Sequence, residues 1–497
     1  MKKIVIVGGG SAGWMTASYL SHTFPQLDIT LIESSDIPTV GVGEATTPYL
    51  MRFFKSIGIE NESEWMPHCN ATYKNGVMYE DWDFINSRWW HSFEVDEHKY
   101  PYWNELRREQ GLDRQDYYHS TMFNASIAMR DSAKWMANKD GEIAVPYYHT
   151  RAFNGWGQHW AYHIDAGMFG QFLKKRCIDS ITYIDTKILD VVRDEQGVSK
   201  LITEQGDVTA DLFIDCSGFK RLLIDKVKEA EFKSLKPYLT HDKALVIRHD
   251  YQDAEKEMRP RTRSKCLSSG WYWDIPLKDR ISNGYVYSSD FITDENAELE
   301  LRQDIGFERT KNSESFVVDI KTGFYPKPWS KNVVAVGLSA GFIEPLESTL
   351  LFVVQLAGIR IGEVIKGDIT TDDFNNDSVS NLDDYLDYIS LGYYLSHRND
   401  SEFWRSRNDK AFITDRMKDW LDRCKYKLEP PEKHILFVDS SWVSKLIGHG
   451  YFPTEKLKYR DADMDMVKAQ MSEVKNFDYN SLISQKEYLD KFIYKDV

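Results

Sequence analysis

The feature that most constrains this chain is Gly8-Gly9-Gly10-Ser11-Ala12-Gly13, set between an apolar run and an amphipathic one. Lys3-Ile-Val-Ile-Val-Gly8 is β-branched and ends on glycine, as a strand covered on both faces of a parallel sheet does. Ser11 to Phe24 places Ala12, Met15, Tyr19 and Leu20 on roughly one helical face, and Asp28-Ile-Thr-Leu-Ile-Glu33 reads as a second strand. Strand, glycine turn, helix and strand make a βαβ unit. The glycines fit G-x-G-x-x-G: Gly8 makes the tight turn, Gly10 lets backbone approach a pyrophosphate, and Gly13 allows close helix–strand packing. The helix start at Ser11 and Ala12 offers N–H donors and a partial positive charge to the phosphates. Glu33 stands 20 residues after Gly13, where a carboxylate accepts from ribose hydroxyls and repels a 2′-phosphate.

At 497 residues, 42% of them hydrophobic, the chain exceeds one minimal core, and two or three structural regions are expected. Lys and Arg number 62 against 77 Asp and Glu, and the net charge of −15 argues against a nucleic-acid partner. No run approaches roughly 18 consecutive apolar residues, so no membrane span is expected. Met1-Lys2-Lys3 leads into glycines, not into a signal-peptide cleavage site. The 5 cysteines form no C-x-x-C pair, as suits reduced thiols in a cytoplasmic protein. Trp, Tyr and Phe make up 14% of the chain, enough to fill a large core or to face flat ligands.

Further along, 166–180 reads as a helix, and 186–193 and 198–203 as strands joined by the turn 194–197. Residues 211–215 and 332–337 read as buried strands, and 244–292 alternate as in an antiparallel sheet. The stretch 48–146 is mixed, helical and aromatic, without clean strand alternation. A helix is expected to begin near Ser348, and the chain beyond about 370 is charged and helical. The buried strands at 3–8, 28–33, 211–215 and 332–337 would form one sheet interrupted by insertions.

Two more glycine-bearing loops bear on the cofactor. Val40-Gly-Val-Gly43-Glu44-Ala45-Thr46-Thr47-Pro48 follows the second strand, and Val336-Gly-Leu-Ser-Ala-Gly-Phe342 follows a late one. Loops so far apart suit a long ligand gripped at both ends, which favours FAD over NAD. The fold class expected is α/β: a Rossmann-like, doubly wound FAD-binding module with an inserted antiparallel sheet and a largely helical substrate-binding region. The module takes 1–47, 155–220 and 330–365; the substrate-binding region takes 48–154, 221–329 and 366–497.

The sequence resembles the flavin-dependent halogenases typified by the tryptophan halogenases. Gly8–Trp14 with Met15 resembles their opening fingerprint, and Gly41-Val-Gly-Glu-Ala-Thr46 with Pro48 their flavin loop. Gly270-Trp-Tyr-Trp-Asp-Ile-Pro276 matches the W-x-W-x-I-P signature, and Pro345-Leu-Glu-Ser-Thr349 the P-L-E-S-T segment. Tyr393, Phe403-Trp404-Arg405, Ser441-Trp442 and Gly448-x-Gly450-x-x-Pro453 extend the likeness over nearly the whole chain.

The resemblance implies a chemistry and its residues. FAD would arrive reduced from a separate flavin reductase and be held also by Gly43, Ala45, Thr46, Leu338 and Leu351. Halide, as co-substrate, would bind at Thr349 and the next residue, usually glycine but here Leu350. That side chain crowds the pocket and changes the halide site, and bromide or iodide, being more easily oxidised, is expected to be favoured over chloride. Lys74, eight residues before Trp82, would direct hypohalous acid onto a small electron-rich aromatic, an indole or a phenol. Read alone, Lys74 is a solvated charge. Glu347 would stabilise the cationic ring and remove its proton. Read alone, Glu347 is a helix first-turn acid, and Glu344 is its competitor. Trp271 and Trp273 share a strand face and would pack as core or bar direct oxygen transfer to the arene; Ser348 is grouped with them.

His159 and His163, spaced H-x-x-x-H, would be helical metal ligands only with a third ligand at useful spacing, so no metal is expected. Cys216 in Asp215-Cys-Ser-Gly218 has no paired base and is not expected to be catalytic. Two other functions compete: a flavin hydroxylase, which needs no halide, and an FAD-binding protein without turnover. The site is expected in the cytoplasm, away from membranes, in a chain free to form a homo-oligomer.

Overall fold

Ile4, Val5 and Ile6 have no exposed surface, and burial of each such side chain stabilises the fold by about 1.5–3 kcal/mol. The strand they form, Lys3–Val7, is central to a six-stranded sheet in the computed structural model, which describes residues 2–37, 43–95, 99–145, 151–152, 159–407, 413–432, 434 and 436–495. The chain divides into two units, each assembled from three stretches. The first takes 1–70, 164–242 and 319–383; the second takes 71–163, 243–318 and 384–497. The sequence suggests a boundary after residue 47, but the first stretch runs on to Asn70. The helix Leu50–Ser56 packs on the helices Ser11–Thr23 and Leu350–Lys366, which keeps it in this unit. Residues 221–242 and 319–329 also belong to the first unit.

In the first unit the sheet runs Thr182–Asp185, Asp28–Glu33, Lys3–Val7, Leu212–Asp215, Val333–Ala335, Trp329–Ser330. Neighbours are parallel up to the last pair, which is antiparallel. The register sets Ile4 beside both Ile29 and Leu212, so apolar side chains form continuous rows. The strands read at 3–8, 28–33, 211–215 and 332–337 are therefore one sheet, as expected. Helix Ser11–Thr23 crosses over it and packs on helices Ala166–Cys177 and Leu350–Lys366. Among the described residues, Leu346–Lys366 has the length and hydropathy (1.6) to cross a membrane. In this unit its Leu351, Val354 and Ile361 are buried, and Gly362 lets the Phe24 ring come close.

The second unit holds a seven-stranded sheet: Ser315–Asp319, Lys243–His249, Ile281–Tyr287, Gly270–Pro276, Thr262–Leu267, Gly76–Glu80, Arg88–Ser92. The antiparallel sheet expected over 244–292 is there, but every residue of Ile281–Tyr287 is buried, because both faces are covered. Its polar members are paired inside: Asn283 Oδ1 meets His249 Nε2 at 2.9 Å. The strands Thr72–Lys74, Gly76–Glu80 and Arg88–Ser92 lie in the stretch read as having no strand pattern. They carry buried polar and aromatic residues on both faces, so the period-two alternation of a half-exposed strand is missing. Gly76–Glu80 joins the sheet by a parallel pairing with Thr262–Leu267, some 185 residues away in sequence (262 − 77).

Candidate cofactor cradle and candidate catalytic residues

In the first unit the glycines differ in what each must avoid. Gly8 has φ +115°, and a Cβ there would stand 2.3 Å from the Cys216 carbonyl oxygen. A Cβ on Gly13 would lie 1.9 Å from the backbone oxygen of Gly8, so helix and strand touch only because residue 13 is glycine. A Cβ on Gly9 would strike the Glu33 carboxylate at 1.4 Å. Gly10, the helix N-cap, has nothing within 4 Å of where its Cβ would be, and no side chain caps the helix. Its backbone thus faces open space at the positive end of a 13-residue helix, which fits a pyrophosphate. Ser11 and Ala12 open that helix, and Gly337 (φ +67°) comes within 3.0 Å of the Ala12 methyl, measured from its would-be Cβ. The late glycine loop and the first one therefore meet. Leu338, half-buried, lies in that turn.

Glu33 Oε1 accepts from Lys174 Nζ at 2.7 Å and from Tyr183 OH at 2.9 Å, which holds the carboxylate against Gly9. Asp215, wholly buried, was missed in the sequence as an organiser. It accepts from Ser217, Leu223 and Ile224 and from Ser339 Oγ, tying two loops together. Burial pushes the Cys216 thiol well up, so it is no thiolate nucleophile. Gly41 and Val42 of the expected flavin loop lie outside the described residues; Gly43–Ala45 forms a short strand, with Ala45 and Thr46 buried. Burial raises the Glu44 carboxyl to about 7.

The P-L-E-S-T segment departs from the expected helix start. The helix begins at Leu350, not near Ser348, and Glu347 sits before it in a 3₁₀ turn with φ 71° and ψ 0°. Ser348 also has a left-handed φ of 60°. Two adjacent non-glycine residues in this region cost roughly 1–3 kcal/mol each and persist only when their surroundings hold them. Glu347 is thus not a first-turn helix acid; it is a buried carboxylate (6% exposed) on a strained turn. Glu344 is also buried, with Oε2 3.2 Å from His241 Nδ1. Thr349 is the helix N-cap, yet its hydroxyl is buried and makes no hydrogen bond among the described residues. An uncommitted hydroxyl at the positive end of a 17-residue helix fits a small anion. Leu350 is half-buried and Leu351 buried behind it.

In the second unit Lys74 has no exposed surface, so it is not a solvated charge. Its Nζ lies 5.2 Å from the centroid of Phe93. Phe93 and His91 lie two residues apart, with ring centroids 6.2 Å apart. His91 Nε2 meets Ser441 Oγ at 2.8 Å, and the His91 ring lies 5.9 Å from Tyr388. Tyr388 stacks on Phe437 at 3.8 Å and meets Trp442 edge-on at 4.9 Å. This aromatic wall beside Lys74 escaped the sequence reading, although the period-two spacing of Trp89, His91 and Phe93 was a signal for it.

His163 lies on a strand, not a helix, with Nδ1 3.1 Å from Thr72 Oγ1 and Nε2 2.9 Å from Thr262 Oγ1. The Thr72 hydroxyl donates to the Pro276 carbonyl, so His163 Nδ1–H is the donor to Thr72 and Nε2 accepts from Thr262. Burial, and then the Lys74 charge, hold His163 well below 6.5. Both ring nitrogens are spent on threonines, which leaves neither for the metal that H-x-x-x-H spacing evokes. Trp271 and Trp273 are buried with centroids 6.3 Å apart, and Trp271 lies 6.2 Å from Trp82. The Trp273 ring covers Gly284, where a Cβ would stand 1.9 Å away. All 5 cysteines are buried, and none is in a disulfide among the described residues.

The family model for tryptophan halogenases matches residues 3–464. Tryptophan 6-halogenase SttH of Streptomyces toxytricini is 32% identical over 488 residues, covering 90% of this chain and 89% of that protein. Tryptophan 7-halogenase RebH of Lentzea aerocolonigenes is 32% identical over 434 residues, covering 84% and 81%. The crystal structure of SttH superposes with a TM-score of 0.88 at 29% identity, covering 98% of this chain and 99% of that one. A strand–glycine–helix cradle, a buried lysine and a family match along the same chain have one reading: the protein belongs to the tryptophan halogenase family and is a flavin-dependent halogenase.

Proposed function

We propose that this halogenase acts on an indole- or phenol-type ring, with Lys74 directing the halogen and Glu347 taking the ring proton. Gly8, Gly10, Ser11, Ala12, Gly13 and Glu33, with Gly43, Ala45, Thr46, Leu338 and Leu351, would hold FAD. When bound and reduced, FAD would supply the two electrons with which oxygen, the oxidant of the halide, is split into water and hypohalous acid. Thr349 Oγ1 and the backbone N–H groups at Thr349 and Leu350 would hold the halide. A separate flavin reductase would supply the reduced cofactor.

Lys74 donates a hydrogen bond to the oxygen of hypohalous acid, which makes that oxygen the better leaving group. The arene carbon then forms its bond to halogen as the oxygen–halogen bond breaks. The departing hydroxide takes the proton shared by Lys74 and becomes water. The carboxylate of Glu347 stabilises the cationic ring and accepts its proton, restoring aromaticity. Trp271 and Trp273 supply the apolar bulk that bars direct oxygen transfer to the arene.

The observation that carries this reading is the complete burial of Lys74 beside Phe93. A lysine buried so completely is rare unless it is paired or put to use. The test uses purified protein, a generic flavin reductase, each halide in turn and a panel of indoles and phenols read by mass spectrometry. Lys74→Ala and Lys74→Met are expected to abolish halogenated product and leave FAD affinity intact. Product formed by either variant at the wild-type rate removes the lysine from the mechanism.

A further inference from the structure

Asn75 follows Lys74 and is 1% exposed. Its backbone is fully committed: the N–H donates to the Pro260 carbonyl at 2.8 Å, and the carbonyl accepts from Phe93 N–H at 3.3 Å and Asn124 Nδ2 at 3.4 Å. Its side chain is the opposite case. Neither Oδ1 nor Nδ2 has a hydrogen-bond partner among the described residues. A buried amide with both ends unmet is costly and calls for an explanation, and a leucine of similar size would remove the cost.

The register says which face it occupies. Gly76 pairs with Ser92 and Val77 with His91, so Asn75 stands directly across from Phe93. Directly opposed residues share a face with Cβ atoms about 5 Å apart. Asn75, Phe93 and His91 thus line one face, and the Lys74 ammonium lies over the Phe93 ring. The next position is closed to such a role, since a Cβ on Gly76 would meet the Trp90 ring at 2.5 Å.

We infer that Asn75 is a specificity-determining residue: its Oδ1 accepts a hydrogen bond from a ring-borne N–H or O–H of the arene and fixes which ring carbon faces Lys74. The inference rests on the reading of Lys74 as the halogen-directing group. SttH and RebH, equally similar to this chain, are named for different ring positions, so a local contact of this kind has a choice to make.

The test is equilibrium binding of indole and of benzothiophene, which has the same shape and no N–H, measured by isothermal titration calorimetry without reductase or halide. Wild type is expected to bind indole roughly three- to tenfold more tightly. Asn75→Leu is expected to bind the two within twofold of each other, with an unchanged or higher thermal midpoint; Asn75→Ala serves if the leucine variant does not fold. No preference in wild type, or the same preference in a folded variant, overturns the inference. Turnover reports separately on the parent reading: halogenation retained in Lys74→Ala defeats the lysine role and leaves the Asn75 binding result standing.

Discussion

Thr72 Oγ1 donates to the carbonyl oxygen of Pro276 at 2.5 Å, which ties the strand of Lys74 to the strand of Trp271 and Trp273. The same oxygen accepts from His163, so one hydroxyl serves two buried groups. Thr72→Val keeps the shape and leaves a buried carbonyl and a buried imidazole N–H unmet, at about 1–3 kcal/mol. The expected result is a lower thermal midpoint and a fall in kcat with little change in KM, both restored by Thr72→Ser. A valine variant with wild-type midpoint and kcat would show that the hydroxyl does not position the lysine strand.

His163 and two other buried histidines predict a pH dependence. Its pKa is held well below 6.5 by burial and then by Lys74, and burial holds His159 and His449 at about 4. Above pH 6.5 these side chains are neutral in both folded and unfolded chains. As pH falls below that value, the unfolded chain takes up protons that the folded one refuses, so stability is lost. Each histidine contributes at most about 1.4 kcal/mol per pH unit in this window. Thermal midpoints are expected to drop steadily from pH 6.5 to 5, and less steeply in His449→Gln. A flat profile over that range contradicts the buried, neutral assignment.

How much of this was legible beforehand depended on whether a residue's reason was local. Gly13 is required by its contact with the Gly8 carbonyl inside one βαβ unit, so its spacing announced the cradle, whereas the contact that requires Gly8 is with distant Cys216 and had no local sign. Thr72–Lys74 pairs with Ala161–His163 and Gly76–Glu80 with Thr262–Lys265, both far along the chain, and both strands are covered on both faces, so no periodicity marked them. The role of Glu347 came from its resemblance to a motif; its left-handed φ could not, because glutamate rarely adopts one and only the surrounding fold enforces it. Lys74 shows the limit most plainly. By composition it was one of 62 cationic residues, and only the motif distinguished it before burial did.

Leu350 gives a prediction about halide choice. The proposed halide contacts are backbone N–H groups and the Thr349 hydroxyl, so they survive any side chain at 350, but space does not. Bromide and iodide are more easily oxidised than chloride and depend less on a snug fit. With equimolar halides, wild type is expected to give mostly brominated or iodinated product, and Leu350→Gly to raise the chlorinated share several-fold. Clean chloride preference in wild type would refute the idea that Leu350 biases the site.

Gly9 and Gly10 are adjacent, and their substitution is expected to have opposite consequences. A Cβ on Gly9 falls 1.4 Å from Glu33 Oε2 and 2.6 Å from the Glu33 Cβ, while the carboxylate is held by Lys174 and Tyr183. Gly9→Ala must therefore displace Glu33 and break charge-assisted hydrogen bonds, lowering the thermal midpoint of the protein even without cofactor. A Cβ on Gly10 meets nothing, and its φ of −79° suits alanine, so Gly10→Ala is expected to fold with a midpoint near wild type. The added methyl instead occupies the space offered to the pyrophosphate, and FAD affinity is expected to fall at least tenfold by fluorescence titration. Wild-type affinity in a well-folded Gly10→Ala would mean that the open space over Gly10 is not where the phosphates lie.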